Sequence, residues 1–237
     1  MALAGPVPLV LLPGAFTDRR LFAHQLDHLG AVADVRCAEL ADVDTVEAMA
    51  EAILAGAPPR FALAGLSLGG SVALEIMKRA RERIIQLALL ATTAAPDPPA
   101  VAAARHAAIA RVRGGDFAGQ VETVLSVLLG PTARACPEHV AAVRAMVSAV
   151  GADRYARQVE VIANRPDQRA VAAQIRCPTL VLAGRDDPVT SVNGHRALAA
   201  SIHGARLAVV EQAGHLAPLD QPAAVTALLR DWLVYPG

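Results

Sequence analysis

Six short apolar runs, at residues 8–12, 32–37, 61–66, 87–91, 180–183 and 207–210, punctuate this chain, and longer amphipathic stretches lie between most of them. Most of the runs are near-continuously apolar rather than alternating, the pattern of strands covered by helices on both faces. Helical periodicity fills 19–29, 45–55, 70–80, 194–202 and 223–233. Strand and helix in alternation predict βαβ crossovers and an α/β fold on a mainly parallel sheet of about six strands.

The alternation breaks once. From 95 to 175 there is no convincing strand; three prolines (Pro96, Pro98, Pro99) lead into an Ala/Arg/Val-rich stretch interrupted at Gly114-Gly115, Gly130-Pro131 and Pro137. The spacing predicts three or four helices inserted between two strands. The expected organisation is a core of residues 1–94 and 176–237 with a helical cap of 95–175. Such an insert leaves the sheet at a strand's C-terminal end, where ligands bind in open α/β sheets, so it is placed to act as a lid.

Within that frame, Gly65-Leu66-Ser67-Leu68-Gly69-Gly70 follows an apolar strand and opens a helix. This is the context of a G-x-S-x-G elbow, in which a sharp turn projects the serine hydroxyl from the sheet. The residues two before and two after must be small, and both are glycine. A serine hydroxyl needs a base. Of seven histidines, His215 alone follows the last strand in a loop on the sheet edge that carries Ser67. The orienting acid is sought after another strand, in Gly184-Arg185-Asp186-Asp187-Pro188, with Asp187 taken first, Asp186 as its rival and Asp97 as a third option. Two backbone amides are needed for a developing oxyanion. Leu68 supplies one; the turn Pro13-Gly14-Ala15-Phe16 supplies the other through Ala15 or Phe16.

Charge and composition narrow the partners. Twenty-two basic and 22 acidic residues leave no cationic excess for phosphate binding, so a nucleic-acid partner is not expected. Three cysteines, Cys37, Cys136 and Cys177, lack zinc-ligand spacing and fit a reducing cytoplasm. No metal site is expected. The uncharged stretch to Phe16 has no leading Lys or Arg and contains Pro6, Pro8 and Pro13, which argues for a strand over an export signal, and it is too short to span a membrane. Aromatic residues are 3% of the chain, and the cap's Arg105, Arg111, Tyr155 and Arg165 are candidate pocket contacts. Oligomeric state leaves no trace in the sequence.

These motifs, with Arg-Cys-Pro-Thr-Leu-Val-Leu-Ala-Gly-Arg-Asp-Asp and Ala-Gly-His-Leu-Ala-Pro-Leu-Asp-Gln-Pro, make the chain resemble the α/β-hydrolase superfamily, in particular its small bacterial esterase-like serine hydrolases. The resemblance implies a triad of Ser67, Asp187 and His215 and favours Asp187 over Asp186. Two departures stand out. Many relatives carry His-Gly where this chain has Pro13-Gly14, and the chain starts at the third strand of the full fold, so an all-parallel sheet is expected. The implied activity is hydrolysis of a small carboxylic ester, thioester or lactone through an acyl-serine, with no cofactor and a small-molecule substrate. The same triad also serves carbon–carbon hydrolases and cofactor-free lyases, and the scaffold serves slow-turnover binding proteins.

Overall fold

In the computed structural model, which describes residues 6–235, six strands form one sheet in the order β2-β1-β3-β4-β5-β6, with every neighbouring pair parallel. The strands are β1 (Val7–Leu12), β2 (Ala33–Cys37), β3 (Phe61–Leu66), β4 (Ile84–Leu90), β5 (Thr179–Gly184) and β6 (Arg206–Val210). Residues 1–5, the start of the uncharged leader stretch, lie outside the described residues. The interior strands β3 and β5 are buried at every position, in keeping with their near-continuous apolar composition. Edge strand β2 alternates instead and carries the exposed Asp34–Arg36 pair, a charged edge that discourages further pairing.

Helices α1 (Ala23–His28), α2 (Val46–Gly56), α3 (Leu68–Ala80), α10 (Val192–Ser201), α11 (Ala217–Asp220) and α12 (Pro222–Val234) belong to the core segments. Between β4 and β5 lie α4 (Pro99–Arg113), α5 (Phe117–Leu128), α6 (Pro131–Arg134), α7 (Pro137–Val150), α8 (Ala152–Ala163) and α9 (Arg169–Ala172). Pro99, Pro131 and Pro137 each open a helix, where a missing N–H costs nothing. Side chains of these helices, among them Val121, Val143 and Tyr155, join the same buried apolar cluster as the strands.

Three features differ from the sequence expectation. Among the described residues the insert holds six helices rather than three or four, because α6 and α9 are single four-residue turns, too short to show a helical period. The first helix is broken: Asp18 accepts a hydrogen bond from the Arg20 N–H, so Arg19–Phe22 winds as a 3-10 turn before α1 begins. Strand β4 starts at Ile84 rather than 87. Gln86 hid its first half from an apolar reading; the buried amide is satisfied by donating to the Trp232 carbonyl at 2.7 Å.

Candidate active site

Because all six strands run parallel, the loops after β1, β3, β5 and β6 leave from one edge of the sheet. The registers align that edge: Leu12 lies beside Gly65, Leu66 beside Leu90, Leu90 beside Leu182 and Gly184 beside Val210.

Ser67 sits at the junction of β3 and α3 with φ 54° and ψ −115°, a left-handed conformation foreign to most side-chain-bearing residues. Such a residue costs on the order of 1–3 kcal/mol and persists only when its surroundings hold it. They do so here. The Ser67 N–H donates to the Leu90 carbonyl at 2.9 Å, and the Ser67 carbonyl accepts from the Gly70 N–H and the Thr92 hydroxyl, each at 2.9 Å. The flanking glycines are steric requirements. A Cβ at Gly65 would lie 2.3 Å from the Gly69 carbonyl oxygen, and one at Gly69 would lie 2.5 Å from the carbonyl oxygens of Leu12 and Pro13.

His215 and Asp187 meet across the loops that follow β6 and β5. The imidazole Nδ1 lies 2.9 Å from Asp187 Oδ2 and 3.1 Å from Oδ1, with the histidine 2% and the aspartate side chain 0% exposed. Asp187 also accepts from the Val189 N–H at 2.7 Å, the Thr190 N–H at 3.0 Å and the Thr190 hydroxyl at 2.6 Å. Burial, the largest single influence, pushes the Asp187 carboxyl up. The His215 and Thr190 contacts together outweigh it and hold the carboxyl below its ordinary value. Asp187 is therefore an ionised acceptor at neutral pH, and it leaves His215 Nε2 as the ring's free nitrogen. Among the hydrogen bonds of the described residues none joins Ser67 Oγ to His215; the ring bonds Asp187 through Nδ1.

The loop after β1 packs directly on the serine. A Cβ on Gly14 would come within 3.4 Å of Ser67 Cβ. In this turn the Ala15 N–H donates no hydrogen bond among the described residues, and neither does the Leu68 N–H at the start of α3. Both residues are nearly covered, at 7% and 3% exposure. An N–H without a protein acceptor, as at the first position of a helix, is free to donate to a bound oxygen. The Phe16 N–H is already taken, donating to Gln158 Oε1 at 2.8 Å.

The remaining candidates are engaged elsewhere. Asp186 is exposed, and its N–H donates to the Ala213 carbonyl. Asp97 holds Arg105 and Arg165 in a largely buried cluster, with the Arg165 contact at 2.6 Å. Those two arginines thus meet a carboxylate, while Arg111 is exposed and Tyr155 is buried against Phe16. Burial raises the thiol of Cys37 to about 12 and pushes Cys177 upward, which suits small buried side chains rather than nucleophiles.

Four supporting groups escaped the sequence reading. His195 is fully buried; its Nδ1 donates to the Ser191 carbonyl at 3.0 Å, which leaves Nε2 to accept the Thr92 N–H at 3.2 Å. Thr92 in turn holds the Ser67 carbonyl. Asp220 Oδ2 accepts the Gly214 N–H at 2.7 Å, beside His215. Only Thr190 had a local signal, since it lies three residues after Asp187 and can close a turn on its carboxylate.

A family model described as the alpha/beta hydrolase family matches residues 9–228. The chain belongs to the alpha/beta hydrolase family. This hydrolase is 28% identical over 243 residues to a pimeloyl-[acyl-carrier protein] methyl ester esterase of Neisseria meningitidis, an alignment covering 94% of this chain and 92% of the relative. It superposes on a thermophilic esterase from Thermogutta terrifontis with a TM-score of 0.87 at 30% identity, covering 97% and 90% of the two chains. An enol-lactonase from Burkholderia xenovorans LB400 shares the hydrolase's fold with a TM-score of 0.86 at 24% identity, over 98% and 94%.

Proposed function

We propose that this hydrolase cleaves small carboxylic esters through an acyl intermediate on Ser67, with His215 as general base and Asp187 as the acid that orients it. The ester-cleaving class rests on the family and on the esterases of similar sequence and fold. The observation that carries the mechanism is a buried imidazole bonded to an ionised carboxylate at the sheet edge where a strained serine leaves the strand.

His215 Nε2 takes the Ser67 hydroxyl proton as Oγ attacks the ester carbonyl carbon. The carbonyl π electrons move to oxygen, and the unpaired Ala15 and Leu68 amides donate hydrogen bonds to that oxyanion. Collapse expels the alcohol, which leaves with the proton held by His215. Water, deprotonated by the same imidazole, then attacks the acyl carbon and returns serine and acid. Asp187 stays ionised throughout and stabilises the imidazolium.

Residues 95–175 form the cap over this edge, and its inner wall selects the acyl group. The Neisseria relative makes methyl esters of acyl chains the first substrates to try, with thioesters and lactones as comparators. Three unpaired thiols suit a reducing cytoplasm, and among the described residues no helix is long and apolar enough to cross a membrane.

The test is fluorophosphonate labelling and p-nitrophenyl ester turnover on purified variants. Ser67→Ala is expected to abolish labelling and lower kcat by about 10³-fold or more. Asp187→Asn is expected to lower kcat by a similar order, with Asp186→Asn close to wild type. Esterase activity surviving intact in Ser67→Ala would overturn the reading, and a folded wild type that neither labels nor turns over would favour a binding protein.

A further inference from the structure

Residue 16 is gripped twice by one face of α8. Its N–H donates to Gln158 Oε1 at 2.8 Å, and its ring stacks on Tyr155 with centroids 4.6 Å apart and planes 18° from parallel. Tyr155 and Gln158 are three residues apart on the helix, so they project side by side. Both are nearly inaccessible, Gln158 at 5% exposure. The residue they hold has φ 64°, a left-handed conformation that a phenylalanine keeps only under constraint.

This grip bears on the neighbouring amide. The peptide unit carrying the Ala15 N–H ends in the Gly14 carbonyl, which accepts from the Thr17 hydroxyl at 2.9 Å. The next peptide unit carries the Phe16 N–H, pinned by Gln158. Two consecutive peptide planes are thereby fixed, one from within the loop and one from the cap. The Ala15 N–H, part of the first of these planes, is left without a protein acceptor among the described residues, in a turn that packs on Ser67.

We propose that Gln158 is a positioning residue for the oxyanion hole: by occupying the Phe16 N–H, it fixes the turn so that the Ala15 N–H is the one presented to the reacting carbonyl oxygen. The inference rests on the acyl-serine reading above and adds to it that the cap, and not the sheet alone, sets donor alignment. Gln158 touches no reacting atom. Its loss acts on the transition state, where the oxygen carries charge, more than on substrate binding.

The experiment compares wild type with Gln158→Met, which keeps side-chain length and removes the acceptor. Turnover is read on matched oxo- and thionoesters, since the larger, weakly accepting sulfur responds less to donor alignment. The expected result is a kcat about tenfold lower on the oxoester, with KM within about twofold and a smaller oxo/thiono rate ratio. A variant that merely loosened the fold would lose both substrates equally. A folded Gln158→Met with unchanged kcat and ratio, or with raised kcat because Phe16 is the true donor, would overturn the proposal.

A second measurement needs no variant. In wild type, amide hydrogen exchange should show Phe16 protected before and after phosphonylation of Ser67, and Ala15 protected only after. The reverse pattern would sink the inference. Ser67→Ala as blank separates the two levels: activity that persists in it refutes the serine mechanism, whereas activity lost in it but unmoved by Gln158→Met refutes only the role of Gln158.

Discussion

Two buried aspartates within one loop system are driven in opposite directions by their surroundings. Asp187 accepts from an imidazole, two backbone amides and a hydroxyl, and is held low. Asp220 has one donor, the Gly214 N–H, while its Oδ1 is buried without a partner, and burial pushes its carboxyl up to about 6. The first is suited to remain an anion beside the buried His215. The second gives the fold a pH-dependent weakness. With an ordinary value of 3.8, Asp220 holds its proton more tightly folded than unfolded between about pH 4 and 6. Stability therefore falls as pH rises through that window, and the cost is complete above about 6. Asp220→Asn keeps an acceptor for Gly214 and removes the charge. Urea unfolding should find it more stable than wild type by up to about 3 kcal/mol at pH 8, with the difference vanishing near pH 4. A constant difference across that range would show that the carboxylate's ionisation is not the cause.

At the scale of elements, the turn between β3 and α3 shows how packing decides what a glycine is for. Gly69 faces the Leu12 and Pro13 carbonyls with no room for a Cβ, whereas a Cβ at Gly56, the last residue of α2, would meet nothing within 4 Å. Gly69→Ala should cost about 2 kcal/mol or more and slow fluorophosphonate labelling of Ser67, because the elbow and the turn after β1 must separate. Gly56→Ala should raise stability by about 0.5–1 kcal/mol by reducing the freedom of the unfolded chain. Thermal unfolding with labelling rates checks both. The elements themselves were largely legible, since buried strands and amphipathic helices write their environment into local periodicity. Legibility failed where a polar side chain found a distant partner. Gln86 in β4 is bonded to Trp232, 146 residues away, and nothing near it in the chain announces that acceptor.

For the whole molecule, the helical insert between β4 and β5 is held to the core by a few polar contacts, with Gln158 accepting from the Phe16 N–H, Arg154 donating to the Leu40 carbonyl and Gln168 donating to the Ser71 carbonyl, and it is braced internally by an ion cluster. At its base, Asp97 neutralises Arg165 and Arg105, with the Arg165 side chain 10% exposed. Removing one partner of a buried ion group leaves the others uncompensated, which commonly costs 3–5 kcal/mol. Partial exposure of Arg105 lowers that figure, so Asp97→Asn is expected to cost about 2–4 kcal/mol in urea unfolding, with faster amide exchange in α4 and α8. Loss of stability without faster exchange in those helices would mean the cluster supports the core rather than the cap. Farther along, Gly130 approaches Gly214 so closely that a Cβ on Gly214 would lie 2.4 Å from the Gly130 nitrogen. The inserted helices and their connections thus touch the loop of His215 through Gly130 and the turn after β1 through Gln158.

Local order, by itself, determined the strands, most helices and the place where a serine must leave a strand, because periodicity, chain-breaking residues and the bulk of a Cβ act over a few residues. Even the two adjacent aspartates could be named as rivals from the sequence. Their separation came from the fold, which turned Asp187 toward His215 and left Asp186 in solvent. The fold likewise matched Gln158 with an amide 142 residues earlier. Such pairings depend on which loops the sheet brings side by side, and a hydrogen bond between distant residues leaves no periodic trace in either neighbourhood.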